Sequence, residues 1–96
     1  MTQLRKNSSG EQAGEIMLKE AASIVTARRK AYGDATILFD QIARRWSLTL
    51  GTEVTTAQVA LCLIDLKLAR LTTDPAHADS IMDVAGYAAC LKEVTS

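Results

Sequence analysis

Aromatic side chains are scarce in this chain: one Trp, one Phe and two Tyr in 96 residues, 4% in all, although 48% of the residues are hydrophobic. The apolar content is largely alanine and leucine, which suits close-packed helices and gives little material for a sheet. Histidine is almost absent, with His77 alone, and the two cysteines, Cys62 and Cys90, have no Cys or His at zinc-ligand spacing. Both cysteines fall in apolar helical runs and read as two buried thiols acting as small hydrophobes in a reducing compartment. Net charge is absent too, since eleven basic and eleven acidic residues cancel. A neutral chain has no general electrostatic pull on nucleic acid or anionic membrane, so any phosphate binding must come from a local cluster. No apolar run approaches the ~20 residues of a membrane span; the longest is Val59 to Ile64. With no leader read at its start, the chain is expected to be soluble and cytoplasmic. Gly-rich phosphate loops, serine nucleophile arrangements and Cys–His pairs are missing, and the glycines fall mainly at helix ends.

What is present is helical punctuation. Residues 1–8 are polar and without pattern and read as a flexible arm; residues 9–96 read as one helical domain. "SSGEQ" offers two overlapping capping boxes, Ser8 with Glu11 and Ser9 with Gln12. A first helix over about 9–32 carries Ile16, Met17, Ala21, Ile24, Arg28 and Ala31 at helical spacing, with Gly33 as a left-handed C-cap. Asp34 is the next N-cap, and Leu38, Phe39, Ile42, Ala43, Trp46 and Leu50 form the apolar stripe of a second helix, about 35–50, closed by Gly51. Thr55 and Gln58 make a capping box, with Val54 and Val59 as a hydrophobic staple, for a third helix over about 56–72. That helix is apolar around most of its circumference, interrupted by Asp65, Lys67 and Arg70, as in a helix buried in a larger core or a subunit contact. After the break at "TTDPAHAD", Pro75 suits the first position of a fourth helix, about 76–94. Gly86 inside that helix costs about 1 kcal/mol relative to alanine, and a glycine so placed usually admits another backbone. The expected fold is an all-α, compact bundle of four helices. A chain this short cannot easily bury two nearly all-apolar helices, so a homodimer or higher homo-oligomer through the third and fourth is expected, with an alanine-rich monomer as the alternative.

Three polar sets stand out. Asp79, Asp83 and Tyr87 recur every four residues on the fourth helix. Two stacked carboxylates need a cation, either Lys67 or Arg70 from the third helix or a divalent metal such as magnesium held by Asp79 and Asp83. A structural ion pair is the bland alternative, since Asp79 in a first turn favours the helix dipole in any case. Lys67 and Arg70 share a face of the third helix and either fix its register against the fourth or hold a phosphate. In "ARRKAYGD", Arg28 falls on the apolar stripe and is expected to point inward; Arg28 and Arg29 would grip phosphate while Tyr32 stacks on a ring, or the bases simply favour the helix C-terminus. His77 is read as a helix cap, an anion contact or a plain loop residue. Trp46 reads as core, and Arg44 and Arg45 as surface.

The succession R-x-x-x-Y-G (Arg28, Tyr32, Gly33), K-x-x-R (Lys67, Arg70) and H-x-D-S-x-x-D-x-x-G-Y-A (from His77) resembles a family of short phage and prophage proteins with no settled function, over about Ala21 to Glu93. The resemblance implies a viral gene product working in a bacterial host's cytoplasm, and it marks Arg28, Tyr32, Gly33, Lys67, Arg70, His77, Asp79, Asp83 and Tyr87 as characteristic positions. More distantly, the helices with inward carboxylates are similar to MazG-type all-α nucleotide pyrophosphohydrolases, which bind magnesium through E-x-x-E and E-x-x-D helices. Here Glu15 and Glu20 are five apart, and the acidic helix has D-x-x-x-D. Three functions are therefore set out. In the first, a nucleotide-like phosphorylated ligand is held in a polar seam by Arg28, Tyr32, Lys67, Arg70, His77, Asp79, Asp83 and Tyr87. The second is a non-catalytic viral accessory or inhibitor protein that contacts a host protein. The third is a magnesium-dependent nucleotide pyrophosphohydrolase.

Overall fold

Three of the four helix starts in the computed structural model, which describes residues 10–96, are made by a capping side chain. The four helices are α1 (Ala13–Tyr32), α2 (Ala35–Leu50), α3 (Thr56–Thr73) and α4 (Ala78–Val94). They form a compact all-α bundle with short connections, and among the described residues no helix is long and apolar enough to cross a membrane. The Asp34 carboxylate accepts the Thr36 backbone N–H and hydroxyl, each at 2.9 Å, and so opens α2. Thr55 and Gln58 close a complete capping box: the Thr55 hydroxyl accepts the Gln58 N–H at 3.1 Å and the Gln58 side chain accepts the Thr55 N–H at 2.9 Å. Gly51 ends α2 in the left-handed conformation, φ 70° and ψ 23°, with its N–H donating to the Ser47 carbonyl at 3.0 Å.

The core is small. Phe39 and Ala43 of α2 meet Val59 and Ala60 of α3, with Ile42, Trp46, Val54, Leu63, Tyr87, Cys90, Leu91 and Val94 packed around them. Burying one ring of the size of Phe39 contributes about 2 kcal/mol. Helices α3 and α4 form the most extensive pair, α2 packs on both of them, and α1 has α4 as its principal neighbour. The two sides of this arrangement differ in consequence. The α2–α3–α4 side encloses the core, while α1 leans on α4 and leaves a gap towards α2.

Several expectations change. Helix α1 begins at Ala13 and not near residue 9, with Gln12 as an N-cap that makes no side-chain bond. Gly10 has φ 84°, outside the helical region, so the helix does not reach back to it. Ser8 and Ser9, and the arm before them, lie outside the described residues. Gly33 has positive φ, 86°, but its ψ of −165° is not that of a left-handed cap; its N–H still donates to the Arg29 carbonyl at 2.9 Å. Pro75 sits in a turn ahead of α4, and His77 is the N-cap. Leu50, the last residue of α2, is 65% exposed, so the apolar stripe of this helix ends at Trp46 as a packed face. Cys62 is exposed, so only Cys90 behaves as a partly buried thiol. Around α3, Leu61, Leu66 and Leu68 remain 49%, 56% and 47% exposed, so one chain alone does not bury this helix.

Candidate functional site

The gap between α1 and α2 is a cavity of about 430 Å³, within the size range of small-molecule sites. Its first wall comes from α1, where Ala21, Ile24, Val25, Arg28 and Tyr32 recur every three or four residues on one face. The turn at Gly33 and Asp34 carries the chain into the second wall, Ala35, Leu38, Phe39 and Ile42 of α2. The floor is α4, with Met82, Asp83, Gly86, Tyr87, Cys90 and Glu93. Most of this surface is apolar; the charged residues that line it are Arg28, Arg29 and Asp34 around the α1–α2 turn and Asp83 and Glu93 along α4. A second depression, of about 770 Å³, runs along the α2–α3 loop from Asp40 to Thr56. It is shallow and open to solvent, and none of the eight candidate ligand-binding residues, Arg28, Tyr32, Lys67, Arg70, His77, Asp79, Asp83 and Tyr87, lines it.

Four of those residues meet at the α1–α2–α4 cavity: Arg28, Tyr32, Asp83 and Tyr87. Arg28 lies on the inner stripe of α1, as its spacing requires, yet its side chain is exposed and not inward. The physical reason is that the C-terminal half of α1 overhangs the gap, so its inner face borders the cavity mouth instead of packed protein. Tyr32 is 79% exposed at the same mouth. Tyr87 is half-buried and packs against the core cluster while contributing to the floor.

The other four lie elsewhere. Lys67 reaches across from α3 and its Nζ meets the Asp83 carboxylate at 3.1 Å, with both side chains less than a third exposed. This is the cross-helix pair that the spacing of α3 and α4 anticipates. Arg70 is exposed and takes no part in an ion pair among the described residues. Asp79 is also exposed, in the first turn of α4, where a carboxylate suits the helix dipole. A spacing of four advances 400° around the helix, 40° more than a full circle. Asp79, Asp83 and Tyr87 therefore fan from solvent to core in place of one straight seam. His77 caps α4: its Nδ1 accepts the Ser80 N–H at 3.2 Å and lies 2.8 Å from the Ser80 hydroxyl. Ser80 is 1% exposed, so this pair secures a buried helix start.

Electrostatics around the cavity are mixed. Burial pushes the Cys90 thiol up from its ordinary range; the Arg28 charge opposes that, and Glu93 adds to it. The Thr36 N–H and hydroxyl hold the Asp34 carboxyl below its ordinary value, with Arg29 contributing. Arg28 and Arg29 thus share the cavity lining with Asp34, Asp83 and Glu93. Among the described residues, no three His, Cys, Asp or Glu side chains converge as a metal site. Sequence reasoning passed over Met82, Gly86, Cys90 and Glu93 as cavity residues. Their spacing around Gly86 was the available signal, because positions 82, 83, 86, 90 and 93 share one helix face.

Comparison with known proteins gives the chain a context. A family model described as "Domain of unknown function (DUF6378)" matches residues 16–95. The chain is 36% identical over 80 residues to the Gene 55 protein of Mycobacterium phage L5, covering 81% of this chain and 51% of that protein. It is 36% identical over 81 residues to the Gene 55 protein of Mycobacterium phage D29, covering 83% of this chain and 54% of that one. The chain therefore spans about half the length of these phage relatives. No solved structure matches it. These relatives support the resemblance to phage proteins of unassigned function.

Proposed function

The chain belongs to the DUF6378 family of domains of unknown function, and on that premise we propose that it binds a nucleotide-like phosphorylated ligand in the cavity between α1, α2 and α4. The observation that supports this reading is the meeting of Arg28, Tyr32, Asp83 and Tyr87, from two helices, around one space of about 430 Å³. Each group has a part that its chemistry suits. The Arg28 guanidinium, with Arg29 beside it, offers forked donors to a phosphate. Tyr32 and Tyr87 offer ring faces to a base. The Asp83 carboxylate accepts from sugar hydroxyls while Lys67 holds it in place. Lys67 acts here through Asp83, and His77 acts by fixing the start of α4.

Thermal unfolding of the protein with a panel of nucleoside mono- and triphosphates, with and without magnesium, tests the reading. A ligand at a hundred times its Kd stabilises the fold by about 2.7 kcal/mol, which is a shift of several degrees for a domain of this size. The expected result is a shift that needs no metal and disappears in Arg28→Ala. A shift seen only with magnesium and accompanied by pyrophosphate release would move the reading to the pyrophosphohydrolase. If no nucleotide changes the melting temperature, the binding reading fails.

We further infer that a second copy of the chain covers the outward face of α3. Leu61 and Leu68, seven residues apart, share one flank of α3 and Leu66 lies on the other, each about half exposed, and a partner seated between them would remove this apolar surface from water.

A further inference from the structure

We propose that Gly86 is a specificity-determining residue of the cavity: its missing side chain lets a flat ring lie directly on the α4 backbone. This rests on the ligand reading above and names the part of the ligand that the α4 floor selects.

Gly86 stands at the centre of the cavity face of α4. Met82 and Asp83 lie one turn before it and Cys90 one turn after it, and all four line the cavity. A glycine inside a helix is unfavourable relative to alanine, so its presence at such a position calls for a compensating contact. Within this chain there is none. No other part of the molecule comes within 4 Å of the point where a Cβ would stand, and Gly86 does not have positive φ. Neither crowding nor backbone conformation requires glycine here. The sequence suggests that a neighbouring backbone approaches at this point; the structure instead shows open cavity. What remains is an occupant from outside the chain that must come closer to α4 than a methyl group allows.

The surroundings give the occupant its shape. Apolar side chains from three sides, Met82, Leu38 and Ile24 among them, suit a ring and not a hydrated ion. Tyr87 adjoins Gly86 on the floor and Tyr32 stands at the mouth, so two phenol side chains line the space beside the seat. Arg28 and Asp83 line the same space and would receive phosphate and sugar hydroxyls. A base on Gly86 with its phosphate toward Arg28 uses each group once.

Gly86→Ala is the test, because fold and binding should move in opposite directions. Alanine meets open space, so the variant should melt about 4 °C higher than the natural protein. In titration calorimetry with the 5′-monophosphates of adenosine, guanosine, cytidine and thymidine, its affinity should fall about tenfold or more. Ribose 5-phosphate, which has no base, should bind both proteins equally. If Gly86→Ala binds the monophosphates as well as the natural protein does, while Arg28→Ala does not, the inference about Gly86 is overturned and the ligand reading stands. If the natural protein binds none of them, both fall together. A Gly86→Ala protein that melts lower would also overturn it, by showing that the glycine serves the fold.

Discussion

Asp83 shows how much one side chain can carry in a bundle with so small a core. Its carboxylate lines the cavity on one side and holds Lys67 at 3.1 Å on the other. Truncating one member of a partly buried pair leaves the other charge without its partner and only partly hydrated. Asp83→Ala should therefore destabilise the protein by about 2 kcal/mol, less than a fully buried pair would lose and more than a surface pair. Lys67→Met combined with Asp83→Ala should lose less than the sum of the two single changes, which chemical denaturation of all four proteins would measure. Additive losses would show that the pair contributes nothing as a pair. Arg70, at the same register of α3 one turn further on, faces solvent, and sequence spacing alone could not choose between it and Lys67. Both are basic, both are within helical reach of the face, and only the crossing of α3 and α4 decides which one meets the carboxylate.

At the scale of the helix, the starts were legible wherever a short-range bond makes them. Asp34 and the Thr55–Gln58 box are written in residues two or three apart, and the structure realises both. His77 was harder to read as a cap, because a ring nitrogen in place of a hydroxyl accepts the Ser80 N–H. The Asp34 cap also titrates. Its carboxyl sits below the ordinary value in the folded chain, so the stabilisation is complete above the unfolded value and is lost as pH falls through the folded one. Asparagine caps a helix about as well as aspartate and does not ionise. The stability difference between the natural protein and Asp34→Asn should therefore be constant at neutral pH and shrink below about pH 4. A difference that does not change across that range would show that the cap is insensitive to charge.

For the whole molecule, the four-helix plan was readable because periodicity of apolar residues reports which face is covered, though not by what. The same periodicity gave Arg28 an inner position and could not reveal that nothing packs over it. It likewise described α3 as apolar all round, and one chain leaves three of its leucines about half exposed. If a second copy covers them, sedimentation velocity at tens of micromolar should show a dimer or larger, and Leu66→Lys should return it to a monomer. Cys62 lies on this outward side of α3 and is exposed in the single chain, so in the natural protein it should react with a thiol reagent more slowly at tens of micromolar than after a hundredfold dilution to about a tenth of a micromolar. A natural protein that sediments as a monomer, with Cys62 reacting at the same rate at both concentrations, would remove the assembly.

The attachment of α1 has one more consequence. Because α4 is its principal neighbour, the work of lifting α1 away is set mainly by one interface, and this opening should be among the least costly local unfolding events in the molecule. A ligand that bridges Arg28 on α1 and Asp83 on α4 closes that opening with its own free energy of binding. Occupancy of the cavity and retention of α1 are then linked equilibria, and the protection of backbone amides along residues 13–32 against exchange with solvent becomes a measure of how full the cavity is.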